Sequence, residues 1–446
     1  MPSVTTRRPA APGDRLRGAG PDRHRAAPGA ATGAASAHPR ASLGGVLREF
    51  VAAASFATLF AALPSPAATL LAQAPAPPPA GESGGSPLAR LFAEALADAE
   101  RSGIPLETIA LRIELPDRSR LDEWPRDQLH RWYCAPSGAL NLNDNCIDVV
   151  IAPSGGRIEV SLRPQNALYS LENAISATRE RARHLYAVDR AVDSWKIRVS
   201  GRFLATAPAR TEWITTPDPA LSFLGAWRAL LAAEGIEVAG ELRIGKRHAA
   251  AVRVARIEHR LEETLPVLLK NSQNLYGDCL LRVANRVKGG DGSFAGAGAT
   301  ALAFLAERGG GEGAAVRDGS GLSPRNRLSC ADLVLLLEHA ERAPWRARFW
   351  EALPLAGVDG TLEKRFRGSA LAGRLRGKTG HLAGVTGLAG GWEAKGGAVR
   401  FAALTGGRGA KVGPFRDWLD ALLIRVDAAL AGAATSAPPP AQAAGL

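Results

Sequence analysis

The sequence predicts a mixed α/β chain of the α+β kind, an antiparallel sheet flanked by helices with a β-rich region ahead of it. Two observations carry this. Alternating apolar runs joined by turn residues sit apart from segments whose apolar positions recur three and four residues apart. Three strand-like pieces, around 373–380, 384–394 and 398–405, then follow one another before an amphipathic segment, 414–430, brings the chain back. Strands closed by a returning helix pack as a sheet against helices.

The elements follow in order. Residues 1–45 hold seven arginines and two aspartates among Ala, Gly and Pro. Such a segment has too little apolar surface to offset its ordering entropy, so 1–49 is expected to be a disordered basic arm. Residues 50–74 form a signal-like segment: an apolar run over 50–63, then Ala72-Gln73-Ala74, which fits the small-x-small cleavage rule. The run is too short for a membrane span, and an Ala-rich linker is its other reading. A Pro/Gly linker occupies 75–88, and 87–103 has helical spacing.

Over 146–163, two alternating runs joined by Ser-Gly-Gly predict a hairpin, and 194–206 continues the strand character. Residues 218–236 predict a helix with Asp218 as its cap, Pro219 in its first turn and Gly235 at its end. The stretch 261–287 is helical at both ends with a polar break at its centre, and 329–342 is a further capped helix. The last residues, 429–446, resemble the N-terminal arm in composition and are expected to be disordered.

A net charge of +12 favours anionic partners. No zinc spacing, aromatic-studded basic ribbon or helix-turn-helix pattern accompanies it, so nucleic acid is not expected; an anionic cell-wall polymer suits the charge equally well. No His/Cys constellation suggests a metal, and no cofactor is expected. Of four cysteines, Cys134 and Cys146 flank a polar loop of eleven residues that a disulfide would close in an exported protein. Cys279 and Cys330 lie in apolar helical patterns, as small buried hydrophobes do.

Two triplets carry chemistry. Lys378-Thr379-Gly380 sits on a predicted strand, where glycine lets a ligand approach the backbone and the lysine favours a negatively charged one. Ser272-Gln273-Asn274 falls at the polar break between helical segments. In this order they match the S-x-N and K-T-G elements of serine acyl transferases. Five blocks also follow in sequence: "WYCAPSGALNLNDN" (132–145), "LKNSQNLYGDCLLR" (269–282), "DGSGLSPRNRLS" (318–329), "PLAGVDGTL" (354–362) and "KTGHLAGVTGLAGG" (378–391). Over roughly residues 90–425 the chain resembles the D-alanyl-D-alanine carboxypeptidase/endopeptidase family, low-molecular-mass penicillin-binding proteins with an accessory insertion.

The resemblance implies a penicillin-binding-protein/β-lactamase-like transpeptidase fold, with a β-rich accessory region over 89–215 and a transpeptidase-like domain over 216–428. It implies a serine-type peptidase acting on the stem peptide of peptidoglycan in the periplasm or another exported, envelope-associated location. Lys378 would supply positive charge to the substrate carboxylate, Thr379 a hydroxyl, Gly380 room, and the His381 N–H an oxyanion donor. Ser272 would relay a proton to the leaving amine and Asn274 would hold the peptide group, while Asp318, Ser320 and Asn326 shape a loop beside the cleft.

One element departs from the family pattern. The nucleophile belongs to S-x-x-K, and no serine of this chain has lysine three positions later. The family places that motif, with two of its five strands, ahead of the "WYCAPSGALN" block, so the N-terminal part of the fold is expected to be incomplete. A binding pseudoenzyme, or a truncated or frameshifted gene product, is the competing reading, and β-lactams become partners only if a nucleophile exists.

Overall fold

The computed structural model describes residues 120–235, 259–395, 397–406 and 412–436. The basic arm, the signal-like run, the linker and the helix expected over 87–103 lie outside the described residues.

The predicted hairpin is β1 (Cys146–Ser154) and β2 (Arg157–Arg163). Ser154 faces Arg157 across Gly155 and Gly156, at φ +54° and +80°, a left-handed turn that suits glycine. β6 (Arg210–Thr215) pairs antiparallel with the other side of β1. A second sheet has the order β3 (Ser170–Thr178), β5 (Lys196–Leu204), β4 (Leu185–Arg190), with β5 parallel to β3 and antiparallel to β4. Ile147, Val149 and Ile151 from β1 meet Ile197, Val199 and Phe203 from β5 in one buried cluster, the period-2 pattern of two sheets sharing a core. β3 has only Leu171 and Ile175 as large apolar residues and β4 is six residues long, which is why their sequences alone do not stand out as strands.

Among the described residues the first strand of the β-rich region is β1, and residues 89–119 of the expected accessory region lie outside the described residues. Residues 121–134 touch β6 through Leu129–Arg131, but Trp124, Leu129 and Cys134 cluster with Phe294 and Leu322, and the Trp124 indole donates to Asp318 Oδ2 at 2.8 Å. The bridge expected between Cys134 and Cys146 is not formed. Cys134 is buried in that cluster, where burial pushes its thiol up to about 12. Cys146 packs against the helical core and donates its thiol to the Asp144 carbonyl at 3.5 Å. Hydrogen bonds do the closing instead. Asn145 Nδ2 donates to Asn141 Oδ1 (2.6 Å) and the Pro136 carbonyl (2.7 Å), and the Leu142 N–H donates to Asn145 Oδ1 (3.1 Å).

α1 (Pro219–Ala233) starts as expected, its Leu221 N–H donating to Asp218 Oδ1 at 2.9 Å. The long helical stretch divides into α2 (Leu261–Lys270) and α3 (Asn274–Val287) at the polar break. α4 (Phe294–Ala306) has no polar face in its sequence and is legible only here; a Cβ on Gly298 would lie 2.1 Å from the Val316 carbonyl. α5 (Cys330–Arg342), capped by Ser329, and the short α6 (Arg346–Ala352) complete the layer. Leu268, Leu281, Phe304, Leu336 and Phe349 are among its buried core.

β7 (Arg376–Leu382), β8 (Val385–Ala394) and β9 (Gly397–Gly406) form an antiparallel sheet in that order. The segment in which two further strands are expected lies outside the described residues. α7 (Val412–Ser436) lays Leu419 and Leu423 over Leu388 and Trp392 of β8. It runs past the end expected at 430, through a stretch in which Ala431, Ala433 and Ala434 favour helix. The tail expected to be disordered from 429 is therefore helical to Ser436.

Arg282 of α3 is fully buried and ties these parts together. Its Nη1 donates to the Ser137 carbonyl and hydroxyl, both at 2.9 Å, its Nε donates to the Gly292 carbonyl at 2.9 Å, and its guanidinium lies 4.9 Å from the Phe294 ring centroid. Arg282→Met keeps the volume and leaves those acceptors without their donor. Urea unfolding should show a loss of about 3 kcal/mol; a loss below about 1 kcal/mol would mean water replaces the guanidinium.

Candidate active site

The turn between α2 and α3 is the centre of the site. Asn271 closes α2, Ser272 takes a left-handed backbone at φ +54°, and Gln273 starts α3. That conformation is uncommon for a residue with a Cβ and reverses the chain in one step. It aims Ser272 at the sheet, where Lys378 Nζ on β7 donates to Ser272 Oγ at 2.7 Å. The same amine donates to the Thr379 carbonyl, also at 2.7 Å. The two sequence triplets, 106 residues apart, thus meet through one hydrogen bond.

The amine is not a solvated strand-end cation. Lys378 is 3% exposed, and burial pulls its amine down from the usual lysine value to about 7. It changes charge near neutral pH, as a group that both gives and takes protons must.

Polar loops brace the turn. Gln273 Nε2 donates to Asp144 Oδ2 at 3.0 Å, and Asn274 Nδ2 donates to the Tyr133 carbonyl at 2.8 Å. The amide expected to hold a substrate peptide group is therefore already engaged at its nitrogen. Asp318 anchors the loop beside it as expected. Its carboxylate accepts from the Ser323 N–H (2.7 Å), the Gly321 N–H (2.9 Å) and Asn326 Nδ2 (2.7 Å), and Ser320 Oγ accepts from the Leu322 N–H (3.4 Å). Below it, Asp278 on α3 accepts the Gly319 N–H at 2.6 Å; a Cβ on Gly319 would lie 2.2 Å from the Gly277 carbonyl. Burial and the nearby Asp318 push the Asp278 carboxyl well above the carboxylate range.

β7 carries the rest. It lies at one end of its sheet, and Thr379 and Gly380 are half-buried beside an exposed His381. A Cβ added at Gly380 would meet no described atom within 4 Å, so the room that the sequence assigns to this glycine is present. The loop 354–362 closes the start of the strand: the Gly377 N–H donates to the Pro354 carbonyl at 3.1 Å and the Ala356 N–H to the Leu375 carbonyl at 2.9 Å. Asp359 of this loop pairs with Lys270 at the end of α2 and accepts the Leu355 N–H at 2.8 Å. The sequence marks this loop only as a matching block; its Asp-Gly step was the one local sign of a turn, and its contacts with Lys270 and β7 depend on the fold. Among the described residues no group of His, Cys, Asp or Glu could hold a metal ion.

This arrangement can hold an extended chain along the edge of β7 with a hydroxyl and a titrating amine beneath it. The profile of the D-Ala-D-Ala carboxypeptidase 3 (S13) family matches residues 103–423. The chain is 29% identical over 294 residues to the D-alanyl-D-alanine carboxypeptidase of Actinomadura sp. (strain R39), covering 61% of this chain and 54% of that protein. It is 33% identical over 193 residues to Carboxypeptidase DacB of Mycolicibacterium smegmatis, 42% of this chain and 41% of that one. The chain thus spans about half the length, or less, of these curated relatives. The structure of penicillin binding protein 4 from Haemophilus influenzae superposes with a TM-score of 0.62 at 21% identity, covering 76% of this chain and 79% of that one. The fold is the penicillin-binding-protein transpeptidase fold.

The Lys378 amine makes stability depend on pH with a defined sign. Unfolded, the lysine holds its proton to about 10.5; folded, it loses it above about 7. Between those values the unfolded chain binds one more proton, so stability rises with pH across this window relative to a variant without the amine. Urea midpoints of the wild type and Lys378→Met, compared from pH 7 to 10, should diverge in the wild type's favour as pH rises. Parallel curves would mean that the amine stays charged in the fold.

Proposed function

The chain belongs to the D-Ala-D-Ala carboxypeptidase 3 (S13) family, and from that premise we propose that it engages the D-Ala-D-Ala end of peptidoglycan stem peptides along the edge of β7 that no described strand covers. The observation that carries the reading is the Lys378–Ser272 contact beneath an edge strand with an open Gly380. An extended peptide adds to such an edge by main-chain hydrogen bonds, and glycine keeps the approach clear. The Thr379 hydroxyl takes the terminal carboxylate, and the Lys378 amine gains a reason to keep its proton once that anion is bound. Ser272 Oγ, already hydrogen-bonded to Lys378, passes a proton toward the leaving amine. The His381 N–H serves as oxyanion donor, and the Asn274 side-chain oxygen, its nitrogen being engaged by Tyr133, accepts from the substrate's peptide N–H.

The family is one of D-Ala-D-Ala carboxypeptidases, and we assign this chain to that peptide chemistry in an exported, cell-envelope setting, with Ser272 and Lys378 carrying protons and the acyl-accepting serine lying outside any S-x-x-K pattern. No helix among the described residues is long and apolar enough to cross a membrane. One observation favours a second reading, the holding of wall peptides without cleavage: no serine in the 446 residues has lysine three positions on.

Two measurements test and separate the readings. Calorimetry with a D-Ala-D-Ala-terminated peptide should give saturable binding, lost when the terminal carboxylate is amidated and weakening as pH rises through about 7, where Lys378 loses its charge. Equal binding of the amidated peptide would overturn the site. A fluorescent penicillin should leave no band that survives boiling in detergent if the chain only binds; a stable labelled band would establish acylation and a nucleophile outside S-x-x-K.

A further inference from the structure

Thr361 lies beside the proposed peptide site and has no part in the chemistry described above. It occupies a 3-10 turn, Gly360–Leu362, and its Oγ1 is 2.9 Å from Thr379 Oγ1. Thr361 is exposed, Thr379 is half-buried, and the two hydroxyls sit at the open edge of β7. We propose that Thr361 and Thr379 form a two-hydroxyl carboxylate clamp, in which Thr361 binds the second oxygen of the substrate's terminal carboxylate. The inference rests on the peptide-binding reading of the β7 edge.

Donor arithmetic supports it. Each threonine carries one O–H, and a bond between the two hydroxyls uses only one of those protons. The pair therefore keeps a donor in reserve, and both protons can turn outward onto one anion. The oxygens of a carboxylate lie about as far apart as two such hydroxyls can span, so each oxygen receives one hydrogen bond, and bonds to a charged acceptor are the stronger kind. Lys378, one residue before Thr379, places its amine on the inner side of the strand against Ser272 and the Thr379 carbonyl. Its charge reaches the clamp through space, while direct contact is left to the hydroxyls.

The loop is built to hold Thr361 still. Leu362 is fully buried with Ala356, Leu371 and Leu375, and its carbonyl accepts the Gly357 N–H at 3.0 Å. Asp359 ties the turn to Lys270. Gly360 is at φ +57°, and a Cβ there would lie 2.8 Å from the Lys270 carbonyl, so the turn seats directly on the end of α2, two residues before Ser272. An exposed side chain on a rigid support beside a substrate edge is placed for contact with a ligand.

The test is binding of a D-Ala-D-Ala-terminated peptide, in carboxylate and amidated forms, to the wild type, Thr361→Val, Thr361→Ser and Thr379→Val. Thr361→Val should bind the carboxylate form about ten-fold more weakly, and Thr361→Ser should restore most of that loss. Thr379→Val should lose a similar factor, and the double variant less than the product of the two, because the hydroxyls act on one group. Thermal melts should be unchanged for Thr361→Val, whose side chain is exposed. A wild type that binds, with Thr361→Val binding equally well, would overturn the clamp and leave the peptide site standing. A wild type that does not bind would overturn both.

Discussion

The hydrogen bond from Lys378 Nζ to Ser272 Oγ is the constraint on which the rest of the site depends. Burying an amine is costly unless its donors are satisfied, and the fold supplies two acceptors, the Ser272 hydroxyl and the Thr379 carbonyl. Meeting that demand requires the α2–α3 turn to touch the sheet at one point. It also keeps Ser272 in a left-handed conformation that a turn with no such partner would have little reason to keep. The desolvation that makes the contact expensive also brings the amine to about 7, so structural and chemical roles share a cause.

Three loops hold that contact in register, each with its own polar economy. The loop over 133–145 folds on its asparagines and reaches the turn through Tyr133 and Asp144. Asp318 organises the 318–326 loop, which presses so closely on α3 that only glycine fits at 319. The 354–362 loop joins Lys270 at the end of α2 to the start of β7. The first loop grips the turn, the second grips α3 and the third joins α2 to β7, while Arg282 holds the first of them at Ser137.

The buried pair Asp278 and Asp318 belongs to this framework. Two carboxyls this close in a water-poor interior cannot both carry charge at low cost, and Asp278 is the one pushed well above its ordinary range. Asp318 also sits above its ordinary value because of burial, although four donors oppose the shift. The loop's donors converge on Asp318, while Asp278, pushed furthest up, is the member of the pair that gives up its charge more readily, so two buried charges need not stand side by side.

By itself the sequence determined what local chemistry determines. Gly155-Gly156 sets the hairpin turn, Asp218 and Ser329 cap their helices, and the polar Asn-Ser-Gln-Asn step breaks the long helix at 270–274. The order of its motif blocks pointed to the family and to Ser272 and Lys378 as one site, and Gly380 as an opening. Only the tertiary structure decided which partners those residues meet. Cys134 and Cys146 are near in sequence but pack into different clusters, since each sulfur follows its own apolar neighbours. The sequence marked Lys378 as a cation for a ligand, but that its amine is buried was decided by the fold, which packs the α2–α3 turn against it, and not by the residues flanking it. Thr361 next to Thr379 was likewise invisible, for 18 residues separate them and only the seat of Gly360 on Lys270 brings the hydroxyls together.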